Sequence, residues 1–245
     1  NIEGNSKLAS FSVFVTFAPP LLIEPESVVS VPEAAKFAAL ILTPIFVVSA
    51  KAAEATKEAE IAAITGDVPI GVSSNEATTH IKLFVLLNDI SLRSLIPAEL
   101  KRSFGFLTGK PSSSLGPIAV TPDELGDLWD EKLVSGKMNC WVRGEKFGSL
   151  ESGEGTPFDY GDAIAHVAIT RTFEPGTIIA LGTVSNEDET LGCGCIGEQR
   201  ALEIINEGSP KTDLLKFGDS VKIDHQDYDG NSIFGVIDQK VEPLG

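Results

Sequence analysis

The chain has 245 residues, of which 42% are hydrophobic and 22% charged, a composition that is typical of a globular protein and argues against disorder. Its 35 acidic and 19 basic side chains give a formal net charge of −16, which disfavours nucleic acid and anionic membrane surfaces as partners. Three cysteines, two of them in Cys193-Gly194-Cys195, do not make a disulfide framework and indicate a reducing compartment, with the cytoplasm as the expected location.

The first 57 residues are the hardest part of the chain to interpret. Residues 10–17 (SFSVFVTF) have the β-branched and aromatic side chains of a strand. Residues 37–50 carry no charge, but they include Pro44 and fall short of the roughly 20 residues that a membrane span needs. We therefore expect a buried segment here, no membrane span, and no signal peptide at the start of the chain.

The remaining residues alternate between apolar runs and turn signals. Strands are predicted at residues 58–64, 81–87, 118–120, 138–142, 145–147, 176–181, 220–224 and 232–237. Helices are predicted at residues 97–104, after the cap signal at Thr121, from Thr156 to about Thr172, and from Glu198 to Gly208. Arg143-Gly144 and Asp229-Gly230 predict two hairpin turns.

Three carboxylates stand out because they belong to two of the predicted strands. Glu58 and Glu60 lie on the same face of the first strand, since side chains alternate with a period of two. Asp89 follows the apolar run at residues 81–87. If the two strands are neighbours, three hard oxygen donors converge in a site suited to Mg²⁺, Mn²⁺ or Ca²⁺.

Simpler interpretations of the same residues remain open. Glu58 and Glu60 are also consistent with the solvated side of an edge strand, which the pattern alone favours because this spacing is common. In a helix the two side chains would point about 200° apart and the shared face would be lost.

Four further positions are candidates for a role beside these carboxylates. Arg93 follows Asp89 by four residues and offers a fork of donors to a carboxylate, although a surface arginine fits equally well. Lys110 stands in a constrained loop beside Gly109, where it either complements an enolate or is simply solvated. Glu198 lies in the first turn of a predicted helix, which the helix dipole alone explains. Residues 182–186 form a small, polar strand exit suited to ligand contacts.

Several motifs, taken in order, resemble those of the fumarylacetoacetate hydrolase family. They are Glu58-Ala59-Glu60, Asn88-Asp89-Ile90-Ser91-Leu92-Arg93, Gly109-Lys110, the segment 116–124 (GPIAVTPDE), Gly182-Thr183-Val184-Ser185 and Phe217-Gly218-Asp219. Each motif is weak alone, but their order and spacing together are specific. The resemblance covers about residues 58–241, which divides the chain into an N-terminal region of residues 1–57 and a family-like catalytic domain of residues 58–245.

The resemblance implies an α+β, mainly β fold: a β-roll of mixed sheets with a few flanking helices, usually in a homodimer. It also implies a role for each matching residue. Glu58, Glu60 and Asp89 match metal ligands, Lys110 and Glu198 match catalytic groups, and Arg93 and Thr183 match positions that line the substrate pocket.

The implied activity is metal-dependent cleavage of a carbon–carbon bond in a 1,3-dioxo or acylpyruvate-type acid, with Mg²⁺ or Mn²⁺ as cofactor. Decarboxylation of a 2-oxo diacid such as oxaloacetate, or keto–enol isomerisation, needs the same enolate. Residues 1–57 contain neither histidine nor tyrosine, whereas the family usually has a histidine there that works with the acid. This departure puts hydrolysis in question more than enolate chemistry, and it leaves a non-catalytic metal-binding relative as a further alternative.

Overall fold

A computed structural model describes residues 46–48, 54–103 and 105–243. Within these residues the strands are β1 (Phe46–Val48), β2 (Ala55–Thr56), β3 (Ala59–Thr65), β4 (Ile81–Asn88), β5 (Ser91–Leu92), β6 (Ser114–Val120), β7 (Gly136–Val142), β8 (Glu145–Ser152), β9 (Ile178–Ala180), β10 (Ser220–Gln226) and β11 (Ile237–Pro243). The helices are α1 (Ser74–Ala77), α2 (Ile96–Leu100), α3 (Pro122–Leu125), α4 (Tyr160–Ala168) and α5 (Ile196–Glu207). The expected mainly β architecture with a few helices is confirmed.

The strands form three sheets of mixed character. One sheet has the order β1-β11-β10-β7-β8 and contains a parallel pair, β1 with β11. A second, fully antiparallel sheet has the order β6-β4-β3-β9, and a small sheet pairs β2 with β5. The second sheet matters most for function, because β3 and β4 lie side by side at its centre.

The main hydrophobic core draws on both large sheets and on α4 and α5. Its fully buried members include Phe84, Leu86, Met138, Leu150, Ile164, Ile179 and Ile196. Tyr160 of α4 donates a hydrogen bond of 2.7 Å to the carbonyl oxygen of Ile61, which fixes the helix to β3. A smaller apolar cluster of Ala62, Val85, Leu87, Ala119 and Ala180 belongs to the second sheet alone.

Two local predictions are confirmed in detail. The β7–β8 hairpin turns at Arg143-Gly144, where both residues have positive φ angles of 55° and 82°, as a tight hairpin turn with the right twist requires. Helix α5 ends at Gly208, which adopts the left-handed conformation with φ of 85° and donates its N–H to the carbonyl oxygen of Ile204.

The predicted helix ends were partly wrong. Helix α4 is capped by Asp159 rather than Thr156, through a reciprocal capping box with Asp162, and it ends at Ala168 rather than near residue 172. Thr121 precedes α3 as expected, but its hydroxyl makes no capping hydrogen bond. Helix α2 ends at Leu100, well short of the predicted end at residue 104, which lies outside the described residues.

The predicted strand at residues 232–237 was also wrong. Gly235 has a φ of 69°, which interrupts the extended backbone, and a Cβ at this position would lie 2.5 Å from Pro117. Only an isolated bridge joins Ser232 to Gln226, and β10 pairs instead with β7 and with β11, which starts at Ile237.

The predicted strand at residues 10–17 lies outside the described residues, and so does the 37–50 segment apart from β1. The division of the chain at residue 58 stays a prediction. In the part of the chain that the structure describes, no helix is long and apolar enough to cross a membrane.

We expect Phe84→Ala to lower the free energy of unfolding by about 3–5 kcal/mol, because it empties a fully buried site. The Phe84 ring packs 4.7 Å from the centre of Trp129 and 5.2 Å from that of Tyr160. Urea denaturation measures the loss. Ile205→Ala on the exposed face of α5 is the control and should change stability by no more than about 0.5 kcal/mol. Equal effects of the two variants would contradict this core assignment.

Candidate metal centre

The pairing of β3 with β4 brings the three predicted carboxylates together. Ala59 lies opposite Asn88 in the antiparallel register, so the residues that flank this pair converge. The Asp89 amide donates to the carbonyl oxygen of Glu58 over 2.9 Å. One carboxylate oxygen from each of Glu58, Glu60 and Asp89 lies within 4.8 Å of the others. The alternatives of a helix or of a solvated edge strand at Glu58 and Glu60 are wrong.

These carboxylates are buried, which makes their mutual repulsion expensive. Glu60 is 0% exposed, Asp89 1% and Glu58 8%. Burial, followed by the charges of Asp89 and Glu58, raises the pKa of Glu60 well above its usual value. Burial likewise raises the pKa of Asp89 to about 6, although the neighbouring Lys110 charge opposes the shift. The cluster therefore carries more negative charge than its surroundings compensate.

Lys110 supplies the cluster's nearest positive charge. Its Nζ lies 2.5 Å from Asp89 Oδ2 and 3.2 Å from Glu58 Oε2, and its side chain is 5% exposed. Burial lowers the pKa of Lys110, but the charges of Glu58 and Asp89 outweigh it and hold the pKa above its usual value. The ammonium group is thus a permanent cation at one side of the site.

Glu60 distinguishes this cluster from an ordinary buried ion pair. Hydroxyl groups of Thr56 and Ser91 donate to Glu58, and Ser113 donates to Asp89. Neither carboxylate oxygen of Glu60 accepts a well-formed hydrogen bond within the described residues. A buried carboxylate without a partner is costly, and a divalent cation with oxygen ligands would remove that cost. The residues therefore fit a hard divalent cation.

Glu198 lies in the first turn of α5, and the residue that caps this helix is joined to Glu58 of the carboxylate cluster. Glu58 forms an antiparallel bridge with Cys195, the residue that caps α5 and accepts the Glu198 amide hydrogen at 3.1 Å. Ser185 donates a hydrogen bond to the Glu198 carboxylate, whose second oxygen is buried without a well-formed partner among the described residues. Burial raises the pKa of Glu198, and the Ser185 hydrogen bond only partly offsets it.

Thr183 lines a small cavity of about 60 Å³ beside β3. Other lining residues include Ile61, Tyr160, Gly182 and Ser185. Burial and then the charge of Glu60 raise the pKa of Tyr160, which places this side of the cavity within electrostatic reach of the carboxylate cluster. Thr183 is therefore on a cavity wall, in keeping with a ligand contact.

Arg93 differs from the other predicted site residues because it is exposed to solvent. Its side chain is exposed, and its guanidinium lies against the first turn of α5, where a Cβ on Gly197 would be 3.4 Å from Nη2. The position allows contact with a ligand that approaches from solvent.

Lys57 was missed by the sequence analysis. Its side chain is fully buried, donates a hydrogen bond of 2.8 Å to the carbonyl oxygen of Gly194, and lies 4.9 Å from the centre of the Phe147 ring. Its charge also lowers the pKa of Glu198, though less than burial raises it. A single lysine in a polar sequence gives no signal for this burial, since lysine is almost always exposed.

His225 and Ser152 form a second buried pair that the sequence did not indicate. Ser152 Oγ lies 2.8 Å from His225 Nε2 and also donates to the carbonyl oxygen of Gly136 at 3.1 Å. The Gly136 carbonyl oxygen and the imidazole thus share the Ser152 hydroxyl, and both side chains are buried away from solvent. Burial lowers the pKa of His225 to about 4, which keeps the ring neutral. The pair is structural rather than nucleophilic.

The family follows from a sequence comparison. The model of the fumarylacetoacetate (FAA) hydrolase C-terminal family matches residues 7–242, and the chain belongs to this family. Members of the family are typically enzymes. No curated protein sequence matches the chain significantly.

Solved structures show the same fold at low sequence identity. One is a fumarylpyruvate hydrolase from Pseudomonas aeruginosa, in complex with Mn²⁺ and pyruvate. The match covers 83% of this chain and 72% of the hydrolase chain, with 14% sequence identity and a TM-score of 0.59. For a fumarylacetoacetate hydrolase from Exiguobacterium antarcticum, the match covers 84% of this chain and 64% of that hydrolase, with 20% sequence identity and a TM-score of 0.58. A 5-carboxymethyl-2-hydroxymuconate delta-isomerase from Mycobacterium smegmatis matches 84% and 67%, with 20% identity and a TM-score of 0.54. The chain thus spans about two thirds of the length of these relatives.

We expect Glu60→Gln to raise the melting temperature of the metal-free protein by about 2–4 °C, because it replaces a carboxyl group whose ionised form is disfavoured by burial and by two acidic neighbours. The same variant should lose the stabilisation that Mn²⁺ gives the native protein. Calorimetric melting with and without Mn²⁺ measures both effects.

Asp224→Asn is the matched control for Glu60→Gln. Asp224 is also buried, but its oxygens accept hydrogen bonds from Ser232 and Gln226, so neutralising it should lower the melting temperature and leave the Mn²⁺ effect intact. A Glu60→Gln protein that melts lower and keeps the Mn²⁺ effect would remove Glu60 from the metal site.

We expect His225 to make the protein less stable in acid. Its folded pKa of about 4 lies below the unfolded value of about 6.5, so the unfolded chain binds the proton first and stability is lost as the pH falls from 6.5 to 4. The loss from this group is about 3 kcal/mol at pH 4. His225→Gln should lose less stability than the native chain over this range in urea titrations, whereas the exposed control His166→Gln should follow the native curve. Parallel curves for native and His225→Gln would refute the assignment.

Proposed function

We propose that this chain is a divalent-metal-dependent hydrolase that cleaves a carbon–carbon bond in an acylpyruvate-type or other 1,3-dioxo acid. The observation that carries the proposal is the buried cluster of Glu58, Glu60 and Asp89, in a chain of this family, with the orphaned carboxylate of Glu60. These three residues would hold Mg²⁺ or Mn²⁺. When bound, the cation supplies positive charge that lowers the energy of an enolate.

Lys110 supplies a second positive charge for the same reaction. Cleavage next to a carbonyl leaves negative charge on the departing fragment, and the Lys110 ammonium already faces the carboxylates on that side of the site. Its burial lowers the local dielectric, so its attraction for developing negative charge is stronger than in water.

Glu198 is proposed as the acid–base group. Its raised pKa makes the carboxylate a better proton acceptor, so it takes a proton from the water whose oxygen adds to the distal carbonyl carbon. When the carbon–carbon bond breaks, the electron pair remains on the enolate fragment, and the carbon of that fragment takes up the proton. Thr183 on the cavity wall and Arg93 at the α5 terminus are proposed to bind the substrate's oxygen atoms.

Isomerisation is the second candidate function. The fold match to the Mycobacterium smegmatis isomerase supports it, and so does the lack of histidine in residues 1–57. Keto–enol exchange needs proton transfer by a group such as Glu198 but no attacking water. Decarboxylation of oxaloacetate would use the same charges. The cytoplasmic location and the homodimer stay predictions.

The proposal is tested by measuring turnover of a small panel of acylpyruvates and of oxaloacetate. The loss of enol absorbance reports the turnover. We expect an acylpyruvate to be consumed in the presence of Mn²⁺ or Mg²⁺, and we expect a chelator to abolish this activity. Lys110→Met should lower kcat by about 10²-fold or more, as loss of a preorganised charge does elsewhere. The surface variant Lys211→Met should keep the native rate, because this lysine is 67% exposed.

The products distinguish the alternatives. Two fragments per substrate support hydrolysis, an unchanged mass with a shifted enol spectrum supports isomerisation, and activity with oxaloacetate alone supports decarboxylation. Tight Mn²⁺ binding with no turnover of any panel member would contradict an enzymatic role.

A further inference from the structure

The loop that precedes Lys110 is held by one buried carboxylate. Glu99 belongs to α2 and is 8% exposed. Its side chain turns back onto residues 107–109, the three residues immediately before Lys110. In the sequence, Glu99 is indistinguishable from an ordinary helical glutamate.

The Glu99 carboxylate accepts hydrogen bonds from every residue of that loop. The Thr108 amide and hydroxyl each donate to Oε1 over 2.8 Å, and the Gly109 amide donates to Oε2 over 2.9 Å. The Leu107 amide lies 3.2 Å from both oxygens. Successive backbone amides that converge on one anion fix the course of the backbone, because none can leave without exposing a buried charge.

Gly109 fits this arrangement closely. A Cβ at this position would lie 2.8 Å from Glu99 Oε2 and 2.8 Å from Ile96 Cγ1, so no side chain fits between the loop and α2. On its other side, the carbonyl oxygen of Gly109 accepts the Leu92 amide hydrogen over 2.8 Å. The loop is therefore fixed to α2 and to β5, both of which follow Asp89 directly in the chain.

The position of Lys110 depends on this anchoring. A lysine side chain has four rotatable bonds, yet the Lys110 ammonium is placed between Glu58 and Asp89 with little exposure. Lys110 directly follows Gly109, whose amide is hydrogen-bonded to Glu99. We propose that Glu99 is a positioning residue for Lys110: its carboxylate anchors residues 107–109 and thereby holds the Lys110 ammonium against the carboxylate cluster.

The charge of Glu99 is needed for this role. The hydrogen bonds from Thr108, and then those from Gly109 and Leu107, outweigh burial and hold the pKa of Glu99 at about 2, so it is ionised throughout the neutral range. Glu99→Gln keeps the shape but replaces one acceptor oxygen with an NH₂ group that faces amide donors. The loop should loosen without loss of the fold.

Glu203 provides a matched control elsewhere in the chain. Its buried carboxylate accepts the Lys211 amide at 2.6 Å, the Thr212 amide at 2.8 Å and the Thr212 hydroxyl at 2.5 Å, so it also clamps a loop through backbone amides. The residues that Glu203 holds, Lys211 and Thr212, follow α5 in the chain, whereas those that Glu99 holds lead directly into Lys110. Glu203→Gln therefore reproduces the change in chemistry without the change in position.

Two measurements on the full chain test the proposal without relying on turnover. Reductive methylation of Lys110, quantified by mass spectrometry, should be at least threefold faster in Glu99→Gln than in the native protein and unchanged in Glu203→Gln. Mn²⁺ affinity, measured by calorimetry, should rise about tenfold in Lys110→Met, because a competing cation is gone, and about threefold in Glu99→Gln. In the Lys110→Met background, Glu99→Gln should have no further effect on Mn²⁺ affinity.

Gly109→Ala is a second variant that disturbs the same clamp from the other side. It should reproduce the faster Lys110 labelling, because its Cβ displaces the loop from Glu99. Equal labelling rates in Glu99→Gln and Glu203→Gln, or an effect of Glu99→Gln on Mn²⁺ affinity that persists without Lys110, would overturn the proposal.

The catalytic consequence rests on the proposed function. If the chain turns over an acylpyruvate, Glu99→Gln should lower kcat about tenfold while KM changes less than twofold, since Lys110 acts on charge that develops during the reaction. If it turns over none, the proposed function fails, but the labelling experiment still decides whether Glu99 positions Lys110.

Discussion

The structure depends on one electrostatic constraint: three carboxylates share a buried pocket at the joined ends of β3 and β4, and one lysine faces them. Coulomb repulsion in a low-dielectric site has to be balanced by protonation, by a cation or by hydrogen-bond donors. Side-chain hydroxyl groups donate to Glu58 and Asp89, whereas among the described residues no side chain donates a well-formed hydrogen bond to Glu60. This asymmetry supports the proposal that the pocket holds a cation, because most buried polar groups of a folded protein have hydrogen-bond partners.

The surrounding elements are arranged to hold that pocket in shape. The Tyr160 hydroxyl fixes α4 to β3, the bridge between Glu58 and Cys195 fixes the start of α5, and Glu99 fixes the loop of Lys110. Each of these contacts joins residues that are distant in sequence, except the last. Support of this kind keeps the charges of the site in place, as the proposed function requires.

The sequence was sufficient for the features that follow from periodicity and short motifs. Arg143-Gly144 and Gly208 predicted a hairpin and a helix end. The alternation at Glu58-Ala59-Glu60 allowed a carboxylate cluster but favoured a solvated edge strand, and only the ordered motifs of the family resemblance implied that these residues and Asp89 are metal ligands. The sequence was insufficient where a contact between residues far apart in the chain determines the burial or the conformation of a residue. The buried ammonium of Lys57 donates a hydrogen bond to Gly194, which is 137 residues away. The positive φ of Gly235 interrupts the strand predicted at residues 232–237 where the backbone passes close to Pro117. Asp159 caps α4 through its reciprocal hydrogen bonds with Asp162, a local arrangement that the prediction of a cap at Thr156 overlooked.

The pairing of β3 with β4 also has a kinetic consequence. About 30 residues separate Glu58 from Asp89, so these strands can meet early in folding, before the more distant β9 joins the sheet. The contact between Asp89 and Lys110 spans only 21 residues, so loop closure favours it at least as much as the pairing of the two strands. A Lys110 ammonium that reaches Asp89 early would offset the repulsion that Glu58 brings to the growing sheet, and a proton or a metal ion that neutralises the cluster would favour the same step.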